Sequence, residues 1–389
     1  MRILYHHRTK SRDGQYVHIA EMQAALRRRG HEVREVAPAA LEPVVLGGES
    51  ASLARLARYF PSSLREILEW GYNLVSLGAL DRVLESWRPD LIYERYAMGN
   101  VAGVLMARWY RIPLFLEVNA PLALERAKFG GLTFPGLVRR LEAFTLRQAD
   151  RVLAVTAALA AILVAEGAEP ARVTVVPNGV DLRRFRGVGP AEGVKRALGL
   201  EGRTVLGFVG FCREWHRLDR IVRLLARGYP ELQSTHLLVV GDGPARAGLA
   251  ELARSLGVAD RVTFTGVVAR DELARYIAAI DVALQPDVVE YASPLKLFEY
   301  LALGKAVVAP DRANIREVVT DGETALLFDP SREEALAGAI ARLVNDPPLR
   351  ARLGARGRSL IETHPYTWDR NAERLEELVV TVQTAGRCA

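Results

Sequence analysis

Short apolar runs alternate with stretches of helical hydrophobic spacing along nearly the whole chain. Residues 3–5, 32–36, 91–93, 113–118 and 152–155 read as strands. Helical spacing covers 17–29, 100–108, 134–148 and 157–166, with a polar loop over 6–16. A strand from Val173 and a Pro177-Asn178-Gly179 turn end this set. After a Gly- and Arg-rich segment at 183–193 the pattern restarts, with strands at 204–209, 236–240, 261–264, 282–285 and 306–308. Helices at 217–226, 245–256 and 271–278 separate them, and three more follow at 333–344, 349–363 and 368–382. Such alternation requires parallel sheets with helical crossovers, so the fold class is α/β with two doubly wound domains. The expected boundaries are 1–183 and 184–365, with a last helix in 366–389. Ligands of such sheets sit beyond the carboxyl ends of the strands, so a cleft between the domains is the expected site. Residues 41–88 are helix-forming, with Pro61 and Gly71 as breaks. Leu53, Leu56, Ala57 and Phe60 form an apolar stripe there beside Arg55 and Arg58, suited to core packing or to a membrane surface.

The segment 291–310 is the most informative. Ser293 and Pro294 read as a helix start, a capping hydroxyl followed by the residue whose missing N–H costs nothing at the first helical position. Leu295, Leu297, Phe298, Leu301 and Ala302 share one face, Gly304 ends the helix, and 306–309 suits a buried parallel strand. Lys296 and Glu299 lie three apart on one side. A lysine beside the free amides of a helix start can hold a diphosphate, with Glu299 reaching ribose hydroxyls one turn deeper. An amphipathic helix with a surface ion pair fits the same spacing.

With 389 residues, 50% hydrophobic and 25% charged, the chain has the profile of a soluble protein with room for two cores. Cys212 and Cys388 are its only cysteines, which excludes a disulfide framework and suits a reducing cytosol. The first residues lead into a strand pattern rather than a signal peptide, and the longest apolar run, 152–165, is too short to cross a bilayer. The expected location is therefore cytoplasmic, with a peripheral place at the inner membrane face left open. The net charge of +6 is uneven: residues 1–183 hold 24 basic and 19 acidic side chains, the remainder 28 and 27. This suits an acidic partner, either a phosphate-bearing acceptor or an anionic leaflet. It equally fits a chain whose default cation is arginine, since lysine occurs only at 10, 128, 195, 296 and 305.

Several chemistries are disfavoured. The loop after the first strand lacks G-x-G-x-x-G, and Gly241-Asp242-Gly243-Pro244-Ala245-Arg246 places arginine where a third small residue is needed. No P-loop and no G-x-S-x-G elbow occurs, and no His, Cys or carboxylate cluster has metal-ligand spacing. Three loops remain that can converge on a diphosphate. They are Gly210 to Arg217, Gly241-Asp242-Gly243 and the helix start at Ser293. Glycines 241 and 243 would let a ligand approach the backbone closely. Arg213 suits bidentate phosphate contact and Lys296 a point-charge contact.

These residues together resemble the retaining glycosyltransferases of family 4. The resemblance rests on Asp13-Gly14 with His18, Arg29-Gly30-His31-Glu32-Val33 and Val176-Pro177-Asn178-Gly179-Val180-Asp181. It continues through Gly241-Asp242-Gly243-Pro244, Arg261 to Gly266, Ser293 to Tyr300 and Gly304 to Val308. It implies the GT-B fold, two Rossmann-like domains facing across a cleft, with the last helix returning to the first domain. It also implies transfer of a sugar from a nucleotide diphosphate sugar to an acceptor hydroxyl with retained configuration, in cell-surface glycan or glycolipid synthesis. A UDP-sugar is favoured over a GDP-sugar, and the acceptor would be a glycan, a lipid-linked molecule or a small molecule; no other cofactor and no nucleic acid is implied. Glu299 then matches the ribose-binding glutamate, and Ser293, Pro294, Leu295, Lys296 and Leu297 the positions around sugar and diphosphate. Gly14 lies near the diphosphate and Val267 near the base. Gly210, His216, Gly241, Asp242 and Gly243 complete the donor side.

The chain departs from the family pattern in places. Tyr291 stands where the first glutamate of the motif falls, with Glu290 one residue early. Phe211 and His216 replace the usual arginine and lysine, leaving Arg213 to supply a cation, and Trp215-His216 resembles one branch of the family. Glu117 and Asn119 occupy the strand end where a first-domain histidine is usual, and one of them is expected to touch acceptor or donor sugar. In the implied mechanism Arg213, Lys296 and the amides of 293–297 stabilise the leaving diphosphate. Two alternatives stay open: a GT-B sugar-nucleotide epimerase and a non-catalytic sugar-nucleotide-binding protein.

Overall fold

The computed structural model describes residues 1–9, 14–38, 62–129, 131–189, 191–364 and 366–387. Lys10, Asp13, Pro61, Cys388 and the stripe of Leu53, Leu56, Ala57 and Phe60 lie outside them. The chain packs as two units. One contains Met1–Pro177, Tyr291–Ser293 and the last helix; the other contains Asn178–Glu290 and Pro294–Thr367.

The first unit is built on β1 (Arg2–His6), α1 (Gly14–Arg28), β2 (Glu32–Val36), α2 (Ser62–Ser86), β3 (Leu91–Arg95) and α3 (Ala102–Tyr110). It continues with β4 (Leu114–Val118), α4 (Leu122–Phe129), α5 (Pro135–Gln148), β5 (Arg151–Ala154), α6 (Ala157–Ala165) and β6 (Val173–Val175). Its sheet has six strands in the order β2-β1-β3-β4-β5-β6, all paired in parallel. β3 and β4 are buried along their whole length, as strands covered by helices on both faces must be.

The second unit holds α7 (Glu192–Ala197), β7 (Thr204–Val209), α8 (Leu218–Ala226), β8 (Thr235–Val240), α9 (Arg246–Ser255), β9 (Val262–Gly266) and α10 (Leu273–Ala278). Then come β10 (Val282–Leu284), α11 (Leu295–Ala302), β11 (Ala306–Pro310), α12 (Ala313–Arg316), β12 (Leu326–Phe328), α13 (Glu333–Asn345) and α14 (Pro347–Thr363). Its six strands run β12-β11-β10-β7-β8-β9, again in parallel. The last helix, α15 (Trp368–Arg387), packs on α1 within the first unit. Trp368 sets its ring edge-on to His18, while Arg29 and His31 both reach Glu376 at 2.7 Å.

Four local expectations are corrected. α2 runs unbroken through Gly71, which lies on the exposed side; a lone exposed glycine weakens a helix by about 1 kcal/mol without ending it. α1 begins at Gly14, so the polar loop ends earlier than its composition suggests. β12 and the short helices α4, α7 and α12 have too few residues to show a period. Pro294, not Ser293, occupies the N-cap of α11, and no side chain caps it. The other end of α11 is as expected. Gly304, at φ +64°, donates to Leu301 while Lys305 donates to Tyr300, a Schellman closure.

Glycines 241 and 243 serve backbone packing. A Cβ on Gly241 would lie 2.2 Å from the Gly210 carbonyl oxygen, and one on Gly243 2.4 Å from that of Cys212. The space their missing side chains leave is thus filled by the adjoining loop. Gly243 also sits at φ +150°. We expect Gly243→Ala to lower stability by at least about 2 kcal/mol, since strain and a backbone clash add. A urea titration followed by circular dichroism checks this.

Candidate functional site

In the second unit the loop after β7 is pinned to the loop after β8. The Cys212 amide donates to the Asp242 carbonyl at 2.7 Å and the Ala245 amide to the Cys212 carbonyl at 3.1 Å. The Asp242 carboxylate accepts from the Gly243 amide and pairs with Arg246 at 3.2 Å, so it is engaged locally. Burial raises the Cys212 thiol to about 11, leaving it a protonated core residue. Arg213 stacks its guanidinium over Phe211 and Trp215 at 4.8 and 4.9 Å.

His216 and Lys296 meet above this loop. The Arg213 amide donates to His216 Nδ1 at 3.2 Å, so in the neutral ring Nε2 carries the proton. Burial, reinforced by Lys296 and Arg213, lowers His216 to about 2 and keeps it neutral. Its Nε2 lies 3.4 Å from Lys296 Nζ, which rests 4.4 Å from the centre of the Phe208 ring. Burial brings the Lys296 ammonium down to about 8. Gly210 makes room for this lysine, because a Cβ there would stand 3.3 Å from Lys296 Cε. Two nitrogens able to donate therefore lie 3.4 Å apart, close enough for a single anionic oxygen to accept from both.

One turn on, Glu299 is buried and lies 3.9 Å from Arg270, and its charge also acts on Lys296, favouring the ammonium. Leu297 is fully buried, Leu295 half-buried, and Val267 is exposed past β9. Ser293 is buried just ahead of α11. Glu290 is exposed and pairs with Arg312 at 3.3 Å.

The first unit holds a different kind of cluster. Glu117, at the end of β4, is buried and accepts hydrogen bonds from Tyr93 at 2.7 Å, Tyr5 at 3.3 Å, Arg95 and Asn119. His18 Nε2 lies 3.0 Å from it. Burial alone would raise this carboxyl. The charges of His18 and Arg95, with bonds from His18 and Tyr93, outweigh burial and hold it well below the usual range. Its oxygens are taken up by donors inside the protein, so of Glu117 and Asn119 only Asn119 is partly exposed. Asn119 is half-buried and turned toward Glu117. Gly14 is exposed at the start of α1. Tyr291 donates its hydroxyl to Glu125, and its carbonyl accepts from Thr156 at 2.9 Å. Tyr5, Tyr93, Arg95 and Arg270 escaped the sequence reading because their partners are distant along the chain. Glu117→Ala strands the buried Arg95 charge and should cost about 3–5 kcal/mol. A drop in the thermal unfolding midpoint measures it.

Residues 12–184 match the family described as Glycosyltransferase Family 4, and residues 192–360 match Glycosyl transferases group 1. A D-inositol 3-phosphate glycosyltransferase of Rhodococcus opacus (strain B4) is 33% identical over 302 residues, 74% of this chain and 66% of that protein. The chain thus spans just under two thirds of that relative's length. The same-named protein of Actinosynnema mirum is 30% identical over 382 residues, 93% of this chain and 90% of its own. Among solved structures, sucrose-phosphate synthase of Thermosynechococcus elongatus superposes with TM-score 0.77 at 21% identity, covering 99% of this chain and 100% of that one. Anabaena HepE in complex with UDP gives 0.75 at 20% identity, covering 98% and 100%. The fold is that of these two-domain proteins, and the matched families are transferases, which sets the epimerase alternative aside. The chain belongs to the family 4 glycosyltransferases.

Proposed function

We propose that this protein transfers a sugar from a UDP-sugar to an acceptor hydroxyl with retention of configuration. The observation that carries the reading is the pair of nitrogens Lys296 Nζ and His216 Nε2, 3.4 Å apart beside the loop after β7 of the second unit. A diphosphate oxygen there would accept from both, and Arg213 adds a second cation in the same loop. Glu299, one turn along α11 from Lys296, would take the ribose hydroxyls. That HepE is recorded with UDP supports uridine as the base.

In the step proposed, the bond from the anomeric carbon to the diphosphate oxygen breaks and its electron pair stays on that oxygen. Lys296 and Arg213 stabilise the growing charge. The acceptor oxygen bonds to the same carbon from the same face, and its proton passes to the leaving phosphate oxygen. The basic excess of residues 1–183 and the inositol phosphate in the relatives' name favour an acceptor that carries phosphate.

Lys296→Ala and Glu299→Ala should each cut transfer at least about a hundredfold with the melting temperature held, since electrostatic stabilisation of a leaving group is of that size. Removing a partly buried ammonium does not weaken the fold, which separates lost chemistry from lost structure. Near wild-type turnover in both purified variants overturns the assignment, and so does UDP binding without turnover on any acceptor. An inverted product, read from its anomeric proton resonance, overturns retention alone.

The pH dependence has a definite sign. Lys296 binds an anion as the ammonium, which predominates below its lowered value of about 8. UDP affinity should therefore be level below pH 8 and fall about tenfold per pH unit above it. His216, already neutral, adds no step between pH 5 and 9. Isothermal titration across that range checks both statements.

A further inference from the structure

We propose that the outward face of α2 seats on an anionic lipid surface. Leu64, Ile67, Leu68, Leu74 and Val75 recur at three- and four-residue steps, with Gly71 and Gly78 among them. One side of the helix is therefore apolar for four turns and carries no polar side chain. Leu74 is 75% exposed, Val75 59%, Leu68 57% and Ile67 50%.

The inward side of the helix is mixed: Leu80 and Leu84 join the core, while Glu66 and Asn73 make polar anchors. Glu66, fully buried, accepts from the amides of Thr133 at 2.7 Å and Phe134 at 3.2 Å, capping the start of α5. Asn73 donates to the Gly99 carbonyl and accepts from the Val101 amide, each at 2.9 Å. These polar anchors fix which side faces out, so the exposed side chains cannot be hidden by rotating the helix. An apolar strip this long on a water-facing helix marks a contact surface.

Its rim identifies the partner. Tyr110 donates to Asp81 on α2 at 2.7 Å, which brings the end of α3 beside the strip. There Trp109 is 81% exposed, an amphipathic ring suited to the headgroup boundary. Arg82, one turn beyond Gly78 on the same side of α2, is exposed, as are Arg108 and Arg111 at the end of α3. Against them stand Asp81, bonded to Tyr110, and exposed Glu85. Cations and an aromatic ring bordering an uninterrupted apolar strip complement a membrane rich in anionic headgroups. The exposed arginines favour an anionic lipid over a second copy, which would bring the same arginines. No described helix is long and apolar enough to cross a membrane, so the contact is one of lying on the surface.

The test is co-sedimentation of the full chain with vesicles of phosphatidylcholine alone or mixed with phosphatidylglycerol. Wild type should sediment with the mixed vesicles and stay in the supernatant with phosphatidylcholine. Leu74→Glu with Val75→Glu should abolish sedimentation while leaving the melting curve unchanged, as both sites face solvent. Arg82→Glu with Arg108→Glu should weaken partition about fivefold or more per arginine on mixed vesicles. Failure of wild type to sediment with either vesicle overturns the proposal. So does a wild-type dimer in light scattering that Leu74→Glu turns into a monomer, which would make a second copy the occupant.

Discussion

The second unit depends on how closely two loops pass at the carboxyl ends of β7 and β8. Adjacent parallel strands bring the two loops together, and the backbone of Gly210 and Cys212 fills the space beside Gly241 and Gly243. No side chain larger than hydrogen fits at either glycine without displacing main chain. The outcome is a loop held from below, on which Phe211, Arg213 and Trp215 stack and from which the Arg213 amide orients His216. Tyr300 ties α11 to the same place, accepting from the Val209 amide at 2.8 Å. Lys296, one turn earlier on α11, then has one position over Gly210, and the backbone packing determines where its charge sits.

That charge is held at a cost. Burial lowers the affinity of Lys296 for its own proton, an effect the Glu299 charge one turn on only partly offsets, and the His216 ring nitrogen 3.4 Å away carries a proton. A lysine in place of His216 would make two like charges 3.4 Å apart. The neutral imidazole keeps a donor there without that repulsion.

Much of the fold was legible in the sequence because parallel strands buried on both faces leave short apolar runs between helical periods. β2 and β7 fall on the residues that pattern indicates, and Gly304 closes α11 as its position suggests. Gly71 misled because a glycine is a breaker only where a Cβ-bearing residue is needed, and on the outer side of α2 none is. Ser293 misled because capping depends on backbone angles that composition does not carry. The place of Glu117 at a strand end was visible, but its role was not. Its donors Tyr93 and Tyr5 lie 24 and 112 residues away, and only the strand order β1-β3-β4 brings them together.

Glu117 and Lys296 show why a charged residue at a strand end does not by itself mark chemistry. Both are ionisable and both are shifted by their surroundings, Glu117 inside the end of β4 and Lys296 in the first turn of α11. For Glu117 the surroundings supply hydrogen-bond donors for both oxygens, so the charged form is favoured and the group has nothing left to offer a substrate. For Lys296 they supply burial and another donor, so the charged form is disfavoured and waits for an acceptor. The two shifts have opposite senses: the donors around Glu117 favour its charged form, whereas burial disfavours that of Lys296, as it does at Lys305, whose Nζ donates to the Ala278 carbonyl. The Glu117 cluster thus ties β1, β3, β4 and α1 together through residues far apart along the chain.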